Sequence, residues 1–354
     1  MARKITLLFQ GCRYLTMQNF LDPVILFFIF GMFAGSVKSN LDIPPQISRF
    51  LSLYLLMALG LKGGFALAKS GFSIEILTPL ACAVLLAFVI PLIGYQLLRK
   101  IIPEFDAAAL AATYGSVSAV TFIAATQYLD QHQIAFGGQM AAAMALMESP
   151  AIIVALIFAS MLRQHPVSTT NLHVSHGALM LSRGTTAPGF PLKKVMHEAL
   201  TDGTQLLLLG ALLIGLATGE PGKAALQPFS GDLFKGMLAF FLLDMGLHAA
   251  RSMKEVKSMP KTLYLYAIGG PIIHALIALI LCRMLALSIG EGILLMVLAA
   301  SASYIAVPAV LRHAMPEARV ALYTGMPLAI TFPFNVLVGI PLYAFLGKSF
   351  LGQG

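Results

Sequence analysis

Two stretches of small, hydroxyl-bearing residues interrupt otherwise apolar sequence. They are Tyr114-Gly115-Ser116-Val117-Ser118-Ala119-Val120-Thr121 and Ala300-Ser301-Ala302-Ser303-Tyr304-Ile305-Ala306-Val307-Pro308. Glycine tolerates dihedrals that other residues avoid, and proline removes a backbone donor, so both stretches favour an unwound chain. Unwound backbone at membrane depth survives only where it is buried in protein or lines a wet cavity. The ends of half-helices there supply free N–H groups and partial positive charge, which suit a small anion. Nearby carbonyls and hydroxyls suit a hard cation such as sodium. The candidate binding residues are Gly115, Ser116, Ser118, Thr121, Ser301, Ser303 and Tyr304, with sodium expected near Ser118 and Ser303. The bland alternative is that small residues only let helices pack closely. The coincidence of two such breaks in one chain favours a site.

Glu148 joins the candidates because an ionisable residue in an apolar run is costly and usually faces the protein interior. It could ligate sodium or carry a proton; otherwise it is a carboxylate paired with a basic side chain. Asp244 reads as structural, and Lys62, before Gly63-Gly64, as a span-end residue. His248 and His274 read as packed histidines. Thr331 and Asn335 fit either cavity lining or bonding between helices.

The elements that must carry these residues are membrane helices. Of 354 residues, 58% are hydrophobic and 11% charged, against roughly 25% charged in soluble domains. Apolar runs at about 20 residues per span give ten candidates: 23–38, 49–69, 73–98, 106–129, 136–162, 201–218, 231–250, 260–287, 291–313 and 318–347. The net charge of +8 resides in short loops, so nucleic-acid binding is not inferred. Three cysteines without a CxxC spacing imply neither a disulfide framework nor zinc. The histidines of the hydrophilic stretch 163–200 fit no metal motif. No HExxH, no GxSxG with partners and no paired aspartates point to an enzyme. Fourteen of the 23 Lys and Arg fall on the side of the 163–200 loop. By the positive-inside rule, that loop is cytoplasmic and both termini are outside.

The halves of the chain are alike. Leu59-Gly60-Leu61 matches Met245-Gly246-Leu247, the two breaks match at an offset of 185, Gly35 matches Gly219, and Pro150 matches Pro333. Each half holds five spans, and an odd number inverts the second copy, as in many secondary transporters. The expected organisation is an N-terminal extension (1–18), a first five-helix repeat (19–162), a cytoplasmic loop (163–200), a second repeat (201–347) and a tail (348–354). The fold class is thus an all-α polytopic membrane protein of the inner (plasma) membrane.

From about Asn19 to Leu346 the chain resembles the sodium-dependent bicarbonate permease family, SbtA. The resemblance is carried by Leu59-Gly60-Leu61-Lys62-Gly63-Gly64, Gly115-Ser116-Val117-Ser118, Glu148-Ser149-Pro150-Ala151, Asp244-Met245-Gly246-Leu247, Ser301-Ala302-Ser303 and Pro308 with Leu311-Arg312. It implies inverted repeats with broken crossing helices, core and gate domains moving as an elevator, and a homotrimer. It implies bicarbonate uptake driven by sodium, often under a cytoplasmic PII-like regulator, with no organic cofactor. The family pattern carries an acidic residue in the second break where this chain has Tyr304, and Gly and Ser where it has Ala119 and Val120. The expectation is therefore a small-anion transporter, with two alternatives: coupling to protons, with a different small anion as cargo, or a membrane sensor or scaffold that kept the fold.

Overall fold

The computed structural model describes residues 21–71, 76–164, 203–257 and 259–352. The N-terminal extension and almost all of the 163–200 loop lie outside the described residues. Among the described residues the chain is helical, with no strand.

The first half runs α1 (Pro23–Ser36), α2 (Pro45–Ser70), α3 (Leu77–Leu98), α4 (Glu104–Gly115), α5 (Ala119–Gln131) and α6 (Gln139–Gln164). The second runs α7 (Gly203–Gln227), α8 (Phe234–Val256), α9 (Lys261–Met284), α10 (Ile289–Ala300), α11 (Ala306–Ala314) and α12 (Ala321–Leu351). Among the described residues, seven stretches are long and apolar enough to cross a membrane. Local chemistry sets the boundaries. The Asp22 carboxylate accepts the Val24 N–H at 2.7 Å and Pro23 follows at the first helical position, fixing the start of α1. α2 stops at Gly71, whose φ of 72° needs no Cβ clearance. In α7, Gly219 at φ 55° precedes Pro221 and kinks the helix. α12 widens into π-helical turns over Ala321–Gly325, Pro327–Thr331 and Asn335–Gly339, where Pro327, Pro333 and Pro341 cannot donate ordinary helical bonds. It runs to Leu351, four residues past the expected span end.

The two broken spans are central. In the most apolar stretch of Glu104–Gln131, 94% of residues are buried, against 44% in α3 and in α9. α4 and α10 have 12 residues each, about 18 Å at 1.5 Å per residue, or half a bilayer. α1 packs along α8 and α2 along α7. Those backbones nearly touch: a Cβ on Gly31 would strike the Leu243 carbonyl, and one on Gly64 the Leu212 carbonyl. Small residues permit this approach, which drives helix association in lipid. α3, α4 and α6 form one cluster, and α9, α10 and α12 another. Leu85, Leu92, Leu213, Leu265, Ile273 and Ile280 point outward from this body, as lipid contact requires.

Candidate functional site

The breaks fall at Ser116–Ser118 and Ser301–Ile305, inside the stretches singled out by sequence. Ser116 (φ −98°, ψ −176°) and Ser118 (φ −104°, ψ 110°) are extended, as is Ser301 (φ −83°, ψ 169°). Ser118 caps α5 by accepting the Thr121 N–H at 3.2 Å. Ser303, two residues before the Ile305 cap position of α11, accepts the Val307 N–H at 3.3 Å. Two helix N-termini are therefore secured by hydroxyls at the crossing.

The crossing is hydrogen-bonded. The Ser303 N–H donates to the Thr113 carbonyl at 3.0 Å. At the corresponding point of the other break, the Ser118 N–H donates to the Ser301 hydroxyl at 3.1 Å, and that hydroxyl donates to the Leu298 carbonyl at 2.9 Å. Thr113 and Leu298 are 185 residues apart, as are Ser118 and Ser303. One direct bond thus has, as its counterpart, a bond relayed through a serine.

Not every hydroxyl is engaged. Ser116 Oγ and Thr121 Oγ1 are buried without a hydrogen-bond partner among the described residues. Buried hydroxyls without partners are uncommon and call for an explanation. Two bare oxygens beside unwound backbone fit a hard cation, whose ligands are oxygens.

A cavity of about 620 Å³ lies against the crossing. Val117 to Val120 and Ser303 to Ala306 form one wall. The opposite wall comes from α2 (Ser48, Arg49, Ser52) and α8 (Phe241, Met245, His248). Of the expected site residues, Ser118, Ser303, Tyr304 and Glu148 line this space. Ser116, Thr121 and Ser301 are buried behind it. Gly115 is a packing residue: a Cβ there would lie 2.6 Å from the Pro91 ring of α3. Glu148 accepts a 2.5 Å bond from Gln205 Nε2, joining α6 to α7. The Tyr304 hydroxyl points to Met245 Sδ at 3.7 Å, and its ring lies 5.8 Å from that of Phe332.

At the cavity mouth Arg251 donates to Asp42 at 2.8 Å and to the Leu41 carbonyl at 2.9 Å. The hydrogen bond and charge of Arg251 hold the Asp42 carboxyl below the usual carboxylate range. Arg49 has no such partner among the described residues, and its planar guanidinium fits an oxyanion. At the opposite end, polar and charged side chains link the helices. Gln131 donates to Asp22 at 2.7 Å, Lys235 lies 3.6 Å from Asp22, and Lys62 lies 3.8 Å from Asp130.

A family model described as the Na+-dependent bicarbonate transporter superfamily matches residues 23–348. The chain belongs to this superfamily. The match covers both breaks and every wall of the cavity, and agrees with the resemblance drawn from the motifs. No curated protein matches the chain. At the family level the function is sodium-dependent bicarbonate transport, the work of a multi-pass membrane transporter and not of an enzyme.

Asp244 bears on the cavity of this superfamily member only through His248, which lines it. Asp244, read as structural, is buried, accepts a hydrogen bond from Ser48 and lies 3.5 Å from His248. The i, i+4 spacing of Asp244 and His248 was a usable signal. Ser48, Arg49 and Arg251 sit in no motif. Thr331 and Asn335 are cross-helix links: Thr331 donates to the Ala267 carbonyl and Asn335 to the Ala300 carbonyl, both at 2.8 Å.

Proposed function

We propose that the protein is a secondary active transporter that carries bicarbonate in symport with sodium, through an elevator motion. The crossing of two broken helices against a cavity is the observation that carries this reading. The anion would rest at the capped N-termini beside Ser118 and Ser303. Sodium would take the bare oxygens Ser116 Oγ and Thr121 Oγ1, which fit a cation. Metal ions are not otherwise invoked, and no organic cofactor enters.

In this reading the two five-helix halves are inverted repeats. The paired helices α1, α2, α7 and α8 are the static gate, and α3–α6 with α9–α12 are the moving core. The matching contacts of α1 on α8 and α2 on α7 support that division. The cavity opens toward Arg49 and Arg251, the end that charge counting assigns to the cytoplasm, so this conformation is inward-facing. The remaining assignments are a homotrimer that anchors the gate, an inner-membrane location with external termini, and a PII-like cytoplasmic regulator.

The test is uptake of labelled bicarbonate into proteoliposomes with and without a sodium gradient. Uptake that follows the gradient supports the reading. A second reading, a sensor or scaffold, is favoured by Tyr304, whose ring occupies the cavity wall where the family pattern carries a carboxylate. Bicarbonate binding without flux would select it. Flux that ignores sodium and follows a proton gradient would move the coupling to a titratable group, Glu148 being the candidate from sequence.

A further inference from the structure

The cavity beside the broken helices is larger and more apolar than bicarbonate requires. Its volume of about 620 Å³ falls within the roughly 300–1,000 Å³ of sites that enclose whole organic molecules. Bicarbonate is a small polar ion and gains nothing from apolar walls. The two helices opposite the breaks nevertheless present such walls in order. On α2, Arg49, Ser52, Leu53 and Leu56 all line the cavity. Their spacing places them on one face of the helix, over about 10 Å at 1.5 Å per residue. The stripe begins with a guanidinium and ends in aliphatic carbon. On α8, His248, Met245 and Phe241 form a second stripe that passes from polar to apolar over the same distance. Ser48 meets Asp244 and Lys62 lies over the Phe234 ring, so α2 and α8 run in opposite directions. Both stripes therefore have their polar ends at the mouth, beside Arg251 and Asp42.

The breaks add apolar surface of their own. Ile305 lines the cavity and is 62% exposed. Apolar surface turned toward a cavity is what a ligand with an apolar body covers. The charges fix how such a ligand lies. Arg251 is occupied by Asp42, whereas Arg49 has no ion-pair or hydrogen-bond partner among the described residues. Glu148, beside Leu56 at the inner end, accepts a hydrogen bond from Gln205. The inner end repels an anionic head, and the mouth attracts one.

We propose that this cavity binds a monocarboxylate with an apolar body, its carboxylate on Arg49 and its body along Leu53, Leu56, Met245 and Ile305. A carboxylate accepts two parallel N–H bonds from a guanidinium, which fixes the head. The stripe length of about 10 Å sets the size of the body. A phenyl ring or a medium-length alkyl chain on a short acid fills it, and acetate does not reach the apolar part. The ligand lies in front of Ser118 and Ser303, which line the same cavity, and so excludes bicarbonate from the N-termini of α5 and α11. That consequence rests on the transport reading; the carboxylate site itself does not.

The test has two arms on the full-length protein in lipid. The first is equilibrium dialysis of labelled 3-phenylpropionate against discs with and without the protein. Binding should saturate in the protein-bearing discs. Acetate should compete at least tenfold more weakly, because each buried methylene is worth about fourfold in affinity. Arg49→Gln should weaken 3-phenylpropionate about tenfold through the lost charge-assisted bonds. Ile305→Asn should weaken it about fivefold through lost apolar contact. Both side chains are exposed, so both variants should fold. Equal competition by acetate, empty discs that take up as much as loaded ones, or an affinity unmoved in one of the two variants overturns the site. The second arm is labelled bicarbonate uptake into proteoliposomes with 3-phenylpropionate on both faces. Uptake slowed by 3-phenylpropionate, with acetate inert at the same concentration, supports exclusion of bicarbonate; uptake that ignores both overturns it. Saturable binding that both variants weaken, in a protein that takes up no bicarbonate at all, sinks the transport reading and leaves the carboxylate site standing.

Discussion

Ser116 and Ser301 occupy the same place in two broken spans 185 residues apart, yet their hydroxyls are used differently. Ser301 accepts the Ser118 N–H and donates to the Leu298 carbonyl, so its hydroxyl is engaged on both sides. Ser116 Oγ has no partner among the described residues. Five residues on, in the first turn of α5, Thr121 has a bare buried hydroxyl, where the start of α11 has the methyl of Ala306. The second break instead holds Tyr304 where the first holds Ala119. The two breaks therefore share a backbone geometry and differ in chemistry. The second break is structurally saturated, and the first retains oxygens to give to a ligand.

The sharpest way to break that comparison is to remove the bare oxygens. Ser116→Ala with Thr121→Val should weaken sodium affinity by about a hundredfold, as two interactions with a charge at 1.5–3 kcal/mol each are lost. Sodium titration of bicarbonate uptake reads this out. An unchanged sodium dependence would assign the cation elsewhere. Because neither hydroxyl has a partner among the described residues, thermal stability in detergent should hardly move.

The engaged serine should behave in the opposite way. Ser301→Ala strands the Ser118 N–H and should cost about 1–3 kcal/mol of stability. It should alter sodium affinity only as far as the first break loosens. Thermal unfolding measured beside the double variant separates the two roles. The helix-capping serines come next. Ser118→Ala and Ser303→Ala should each cost about 1 kcal/mol through the lost cap, and should weaken bicarbonate binding about tenfold if the capped N-termini hold the anion.

Tyr304 sharpens the contrast from the other side. Tyr304→Asp returns a carboxylate to the saturated break and should create or strengthen sodium-dependent uptake. Wild-type uptake that is already steeply sodium-dependent and indifferent to this change would show that Tyr304 does not bear on coupling.

The smallest effect is expected at the cavity mouth. Arg251 depresses the Asp42 pKa, so their contact contributes fully above the ordinary carboxylate value of 3.8 and is lost only as pH falls through the lower folded value. Asp42→Asn should therefore leave the pH profile of uptake unchanged between about pH 5 and pH 8. A profile shifted within that window would give Asp42 a role that its pairing does not predict.

Much of this architecture is written locally. Apolar runs long enough to cross a bilayer are a property of contiguous residues, so the all-helical membrane character was readable, while the ends of α2, α7, α8 and α12 fall outside the expected bounds. Gly115, the paired serines and Pro308 marked the breaks because their backbone preferences act within a few bonds. The likeness of the two halves was legible because these markers follow one order in each. The Asp244–His248 spacing was also local, but its meaning was not.

What the sequence could not decide is which oxygen finds a partner. Ser116 and Ser301 are the same residue in matching contexts, and their difference depends on how two helix ends cross. The partner of Ser301 is 183 residues away, and Ser48 lies 196 residues from Asp244. Hydrogen bonds depend on ångström-scale placement, and that placement is set only when the helices pack. The sequence by itself determined the spans, the breaks and the residue types available at the crossing. The tertiary structure alone decided which of those groups are spent on holding the fold and which stay open to a ligand.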